Sequence, residues 1–427
     1  MSGKTFDPND RRVHLQALAD IPVDADADDQ VLATFLPGPQ HERALDRRIL
    51  VVRGERGAGK TALFQLLHAV QSKNISLSDV IGGAPDGRRI DGYAATGTAH
   101  PADEVVGQFA TKAEPEDVRA FWLGHLVVRL RAERISTEDL PSSFRAAHAA
   151  GPLNPQAWVG VARSSLPDLY AWLDRTEQAL SEACFVVYDH LDRIGSTNRQ
   201  VREKVSAGLL GLWMSLSQRY DRVRGKVLVR EDLFQATLTS FADATKLEAR
   251  SVRLDWSAGR LYAMLVRRMA AADGLRDWLK DVARVPLQKN TRLGWLPESV
   301  DFDERAQRNI AKALVGAYMG AGPTKGFSHT WLINHLQDAH GRVTPRSLLV
   351  LVCGAAQSAL ERGPKAVYRR LLHPVELQRS LEKASQRRAG EMTEDFPVVG
   401  RLEGLRKREL FLSKREVVAA LRSVTVK

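Results

Sequence analysis

Between a short β-branched run, Arg48-Ile-Leu-Val-Val-Arg53, and an apolar helical pattern, Thr61 to Val70, stands the octapeptide Gly54-Glu-Arg-Gly-Ala-Gly-Lys-Thr61. Its glycines let the backbone wrap tightly where other residues would be strained. With the flanking patterns it reads as strand, loop and helix. Further runs at Cys184-Phe-Val-Val-Tyr188, Lys226-Val-Leu-Val229 and Ser251-Val-Arg-Leu254 read as strands. Helical stretches separate them, one with Phe121, Trp122, Leu126, Val127 and Leu130 on a single face. Strands alternating with helices predict an α/β fold, a parallel sheet with helices on both faces.

The octapeptide fits the phosphate-loop pattern G-x-x-x-x-G-K-[ST], and each fixed position has a mechanical reason. Successive N–H groups over Gly54, Glu55, Arg56, Gly57, Ala58 and Gly59 form a positively polarised nest at a helix start. Lys60 is expected to reach the β- and γ-phosphates, and the Thr61 hydroxyl to ligate Mg²⁺. The expected ligand is a nucleoside triphosphate with magnesium. Such a site needs an acid from a neighbouring strand end, and Asp189 directly follows the run ending at Tyr188. Asp189 is expected at the metal beside Thr61, and Asp192 as the base that polarises water. Arg230, at the end of the next strand, is the candidate sensor of the terminal phosphate. Arg346 opens a later helix, in Gly341-Arg-Val-Thr-Pro-Arg346, from which it can fold back onto the nucleotide.

Organisation follows from where these patterns stop. Residues 1–47 are polar and Asp/Pro-rich, an entry arm with one apolar stretch at Val31, Leu32, Phe35 and Leu36. The core is expected over 48–256. After Trp256 strand signals cease, and 257–360 is expected to be a helical lid domain. Residues 361–427 hold 16 Lys+Arg against 9 Asp+Glu, a net +7 of the chain's +11. They are expected to form a small helical or winged-helix-like unit, its last helix opened by a Ser413…Glu416 capping box. Arg369, Arg370, Arg387, Arg388, Arg406, Lys407, Arg408, Lys414 and Arg415 are its candidate contacts to the phosphates of duplex DNA. The two cysteines, Cys184 and Cys353, lie in separate apolar runs and are expected to be buried thiols. The longest apolar run, Leu348 to Ala356, is about half of the roughly 20 residues a membrane span needs. With a polar, charged beginning, the chain is expected to carry neither signal peptide nor membrane anchor, and to be cytoplasmic.

At these residues the chain resembles the ASCE division of P-loop ATPases, and within it the KAP, STAND and AAA+ relatives, over about residues 28–360. Val186-Val-Tyr-Asp189-His-Leu-Asp192-Arg193-Ile is similar to the KAP pattern of apolar run, Asp-Asp-Leu-Asp-Arg and an aliphatic residue. Lys226-Val-Leu-Val-Arg230-Glu-Asp-Leu-Phe234 resembles a signature of bacterial P-loop ATPases found in defence islands, and Gly341 to Arg346 the AAA+ sensor 2 element. The resemblance implies a Mg-dependent ATPase that works as a homo-oligomeric switch with DNA and a companion effector such as a nuclease, plausibly in antiphage defence. Its departures are the lack of inserted membrane helices and His190 in place of the second acid. His190 favours a second reading, a nucleotide-gated binding module with negligible turnover. An AAA+-like accessory ATPase of DNA replication or transposition is a further alternative, while a small-molecule kinase lacks a recognisable acceptor-site motif.

Overall fold

Side-chain alternation along the strands decides the architecture, because successive residues of a strand face opposite sides of its sheet. β1 (Val51–Gly54) sends Val51 into one apolar core and Val52 into another. β3 (Cys184–Tyr188) divides Val186 from Val187 in the same way, and β4 (Val223–Arg230) divides Val227 and Val229 from Leu228. The first core is completed by Phe121, Trp122 and Leu126 of the helix Pro115–Ala132 and by Leu209 and Trp213 of the helix Arg199–Arg219. The second is completed by Leu63, Phe64, Leu67 and Val70 of the helix Lys60–Ser72. Each such side chain, fully buried, stabilises the fold by about 1.5–3 kcal/mol relative to exposure. Both faces of the sheet are therefore fixed.

The computed structural model describes residues 8–94, 98–195, 198–241, 243–362, 370–409 and 411–424. With β2 (Arg88–Tyr93) and β5 (Ser251–Arg253), the five parallel strands run in the order β2-β3-β4-β1-β5. β4 thus stands between the strand that ends in the octapeptide and the strand that ends before Asp189. Its register sets Gly54 beside Arg230, and Tyr188 beside Val227. Among the described residues no helix is long and apolar enough to cross a membrane.

The chain divides into two compact units, one over Asp20–Leu349 and the other joining residues up to Ala19 with those from Val350 onward. In the first, the expectation that strands cease after Trp256 is corrected by an antiparallel hairpin, β6 (Leu287–Asn290) and β7 (Gly294–Pro297). Its residues are half-buried or exposed, so no apolar alternation announces it. Asn290 closes the turn by accepting from the N–H groups of Arg292 and Leu293, both at 2.9 Å. The buried Arg267 secures the hairpin against the preceding segment, donating to the carbonyls of Phe35 (3.0 Å), Leu32 (2.7 Å) and Trp295 (2.5 Å). The helix Ala258–Ala270 packs on β7, Arg276 and Lys280 of the helix Asp273–Asp281 stand over the Trp295 ring, and the helices Glu304–Leu314 and Ser328–Asn334 follow.

The second unit is helical in its described residues, with Pro8–Ala19, Pro374–Asp395 and Lys414–Arg422 as its separate helices. The helix Pro8–Ala19 thus forms in the part of the arm that sequence patterning marks as polar chain, ahead of the apolar stretch at Val31 to Leu36. Arg11 Nε donates to the Leu371 carbonyl at 3.1 Å, and its guanidinium lies 3.8 Å from Glu376. Ser413 and Glu416 form the expected capping box. Of the expected polyanion contacts, Arg369 lies outside the described residues; Arg387 pairs with Glu391 at 3.5 Å and Arg406 with Glu403 at 2.8 Å. Neither cysteine is in a disulfide, both are buried, and burial pushes the Cys184 thiol up to about 12.

Candidate functional site

The octapeptide leaves β1 at Gly54 and enters the helix at Lys60, with Gly57 at φ +83° and Gly59, the helix N-cap, at φ +102°. Those values lie in the left-handed region that favours glycine. At Gly57 space is restricted as well, since an added Cβ would stand 2.6 Å from Arg346 Cβ. Lys60 Nζ reaches back across the loop to the carbonyls of Gly54 (2.8 Å) and Glu55 (3.1 Å). Burial lowers its pKa, against the opposing fields of Asp192 and Asp189. The first N–H groups of the helix face the same loop, where its dipole is positive.

Asp189 directly follows β3, and its N–H donates to the Tyr93 carbonyl at the end of β2 at 3.0 Å. His190 then takes a left-handed backbone, φ +60°, and turns the chain away. The Asp189 carboxylate stands beside the Thr61 side chain, is 3% exposed as a residue, and has one oxygen, Oδ2, without a hydrogen bond. Burial raises its pKa above the ordinary carboxylate value. His190 Nδ1 stands 3.6 Å from that oxygen.

Asp192 and Arg230 complete the cluster on the β4 side, with Asp192 Oδ2 3.7 Å from Arg230 Nη1. Arg230 is 11% exposed at its side chain and also makes two 3.0 Å bonds to the Asp232 carboxylate. Glu231 turns instead to Arg53 of β1, at 2.6 Å. Lys60, Thr61, Asp189, Asp192 and Arg230 therefore meet at the carboxyl ends of β1, β3 and β4. Arg222 and Arg224 belong to the opposite end of β4, an interior strand.

Residues 341–346 pack on the loop itself. The Arg346 N–H approaches the Gly57 carbonyl at 3.4 Å, and Arg342 pairs with Glu55 at 3.1 Å. The Arg346 guanidinium is bound by Asp24 at 2.8 Å. Arg56 is exposed. Beside the loop lies a cleft of about 420 Å³ lined by Glu55, Ala58, Arg253, Trp256, His340 and Arg342, among others; Trp256 Nε1 donates to the Ala58 carbonyl at 2.8 Å. Sequence reading missed Trp256 and His340, which carry no motif, and Asp24 and Asp26, whose acid-rich segment looks like solvated chain. No protein-family model, curated protein or solved structure matches the chain.

Proposed function

We propose that the loop Gly54–Thr61 binds ATP with Mg²⁺, and that the chain is an ATPase used as a conformational or assembly switch. The observation that carries this reading is the meeting of Thr61 with Asp189, a hydroxyl against a buried carboxylate that keeps one oxygen without a hydrogen bond. Buried carboxylate oxygens without donors are costly, and a cation ligand removes that cost. Mg²⁺ takes oxygen ligands, retains waters, and needs one or two protein oxygens beside substrate phosphates. Thr61 and Asp189 would hold it, and it would neutralise charge on the phosphate oxygens. Lys60 and the first helical N–H groups bind and orient the phosphates, Arg230 serves the terminal phosphate, and Asp192 orients water. The Trp256 cleft adjoining the loop has the volume for the nucleoside half. Ligands of open α/β sheets bind at the carboxyl ends of strands, where these residues lie. The strand order, with β4 between β1 and β3, supports the resemblance to the ASCE division.

Calorimetric titration of the full chain with ATP, in Mg²⁺ and in EDTA, tests the binding. Tight binding strengthened by Mg²⁺ is expected, and absence of binding would overturn the reading. A specific observation favours the second reading, gating without turnover: the candidate base Asp192 lies against the Arg230 guanidinium, and His190 follows Asp189 where a second acid would stand. Phosphate release at saturating ATP, with and without duplex DNA, separates the two. Self-association, DNA contact by the basic unit, and an effector partner in antiphage defence belong to the same proposal. They rest on the resemblance and on the charge of residues 361–427.

A further inference from the structure

The segment Asp24-Ala-Asp-Ala-Asp28 packs, through its turn Ala25–Ala27, against the helix that starts at Lys60. Its three acids meet three sets of partners. Asp28 is anchored, its side chain 2% exposed, with Oδ2 2.5 Å from both Arg268 Nη1 and Thr34 Oγ1. Asp26 lies 3.0 Å from Arg193 Nη2 and 3.5 Å from His190 Nε2. Asp24 lies 2.8 Å from Arg346 Nη2. The Asp24 and Asp26 side chains are 42% and 41% exposed. The segment is thus fixed at Asp28 and held by half-exposed ion pairs further along, which are weak.

Those weaker pairs engage the groups that border the phosphate loop. Arg346 is the residue whose N–H meets Gly57, and His190 follows Asp189 in the chain, its Nδ1 3.6 Å from the Asp189 carboxylate. The geometry points to a strap in which Asp24 and Asp26 stand in for phosphate oxygens, so that the terminal phosphate of a triphosphate displaces them and a diphosphate does not. This inference rests on the nucleotide reading of Gly54–Thr61. A carboxylate offers Arg346 one charge on two oxygens; a terminal phosphate offers nearly two charges on three, and guanidinium binds it in a bidentate fork. The loop N–H groups over Gly54–Gly59 face the phosphates that the two nucleotides share. Asp24 and Asp26 make the site respond to the part that differs.

The test uses the full chain with Asp24→Asn and Asp26→Asn combined, titrated with Mg-ATP and Mg-ADP. Removing two half-exposed competing pairs should tighten ATP binding about fivefold and leave ADP binding unchanged. Asp29→Asn, at the exposed acid directly after the segment, should change neither. A fluorophore on Ala27→Cys should shift with ATP and stay still with ADP, labelling being selective because Cys184 and Cys353 are buried. ATP affinity unchanged in the double variant, an equal gain for ADP, or the same gain from Asp29→Asn would overturn the strap while ATP binding by the parent chain stands. If neither parent nor variant binds ATP, the nucleotide reading falls and the strap with it.

Discussion

Asp189→Asn separates a ligand-holding role from a structural one because the two move different measurements in opposite directions. Burial holds the Asp189 carboxyl above its ordinary 3.8. A folded-state pKa above the unfolded one means the folded chain takes up the proton more readily. The cost of carrying the charge is therefore absent below the unfolded value and grows as pH rises through the folded one. Asparagine keeps the shape, keeps an oxygen beside Thr61, and removes that cost. At pH 7 the melting temperature of the variant without nucleotide should equal or exceed that of the parent, and the difference should shrink on acidification. The nucleotide should suffer instead. A charged oxygen contact contributes about 1.5–3 kcal/mol, so a loss near 2 kcal/mol weakens Mg-ATP binding roughly thirtyfold. In EDTA most of that difference should vanish. Scanning fluorimetry and calorimetry on the same preparations supply both numbers. A variant that melts several degrees earlier yet binds Mg-ATP as the parent does would refute the reasoning and make Asp189 a structural acid.

Lys60→Ala should abolish tight ATP binding with or without metal, whereas Thr61→Ala should mainly lose the enhancement by Mg²⁺; titrations in Mg²⁺ and EDTA distinguish the two. Asp192→Asn should leave binding intact and slow phosphate release, and normal turnover in that variant would remove Asp192 from the mechanism. His41 is buried and held neutral, its pKa lowered to about 3 by burial and by Arg260. The unfolded chain takes up that proton near pH 6.5 and the folded chain does not, so stability should fall as pH drops from 6.5 toward 3, by up to about 1.4 kcal/mol per pH unit. His41→Leu should flatten that slope in melting curves between pH 7 and 4.5. Replacing Arg387, Arg388, Lys414 and Arg415 together by Gln should weaken duplex binding at low salt and reduce its salt dependence; unchanged binding would assign the DNA contact elsewhere.

The octapeptide is legible in sequence because few backbones satisfy three close glycines followed by Lys-Thr between a strand and a helix. Asp189 is legible for a related reason: a carboxylate directly after a five-residue apolar run sits at a strand's end wherever that strand is placed. The position of β4 between β1 and β3 is a matter of register among distant segments, and local patterning does not carry it. The hairpin β6–β7 escapes because its strands are only half-buried and show no alternation. Asp24 and Asp26 escape because their partners, Arg346 and Arg193, are far along the chain, and acids in a Pro- and Asp-rich stretch look solvated until those partners are known. Arg230 is the intermediate case. Its strand end is readable, but its engagement by Asp232 and Asp192 needs the fold.

All of the residues around the phosphate loop, from Asp24 to Arg346, fall within the unit Asp20–Leu349, whereas the helix Pro8–Ala19 belongs with residues beyond Val350. During synthesis that division is also a division in time. Translation at roughly 5–20 residues per second takes roughly 1–4 s from Val350 to Leu371, and for that interval the helix carrying Arg11 is made but lacks the carbonyls of Arg370 and Leu371 to which Arg11 later donates. The sheet, the loop and the strap have every residue they need before the interval begins. A nascent chain on the ribosome therefore holds every residue of the candidate site while its first helix still waits for its partners.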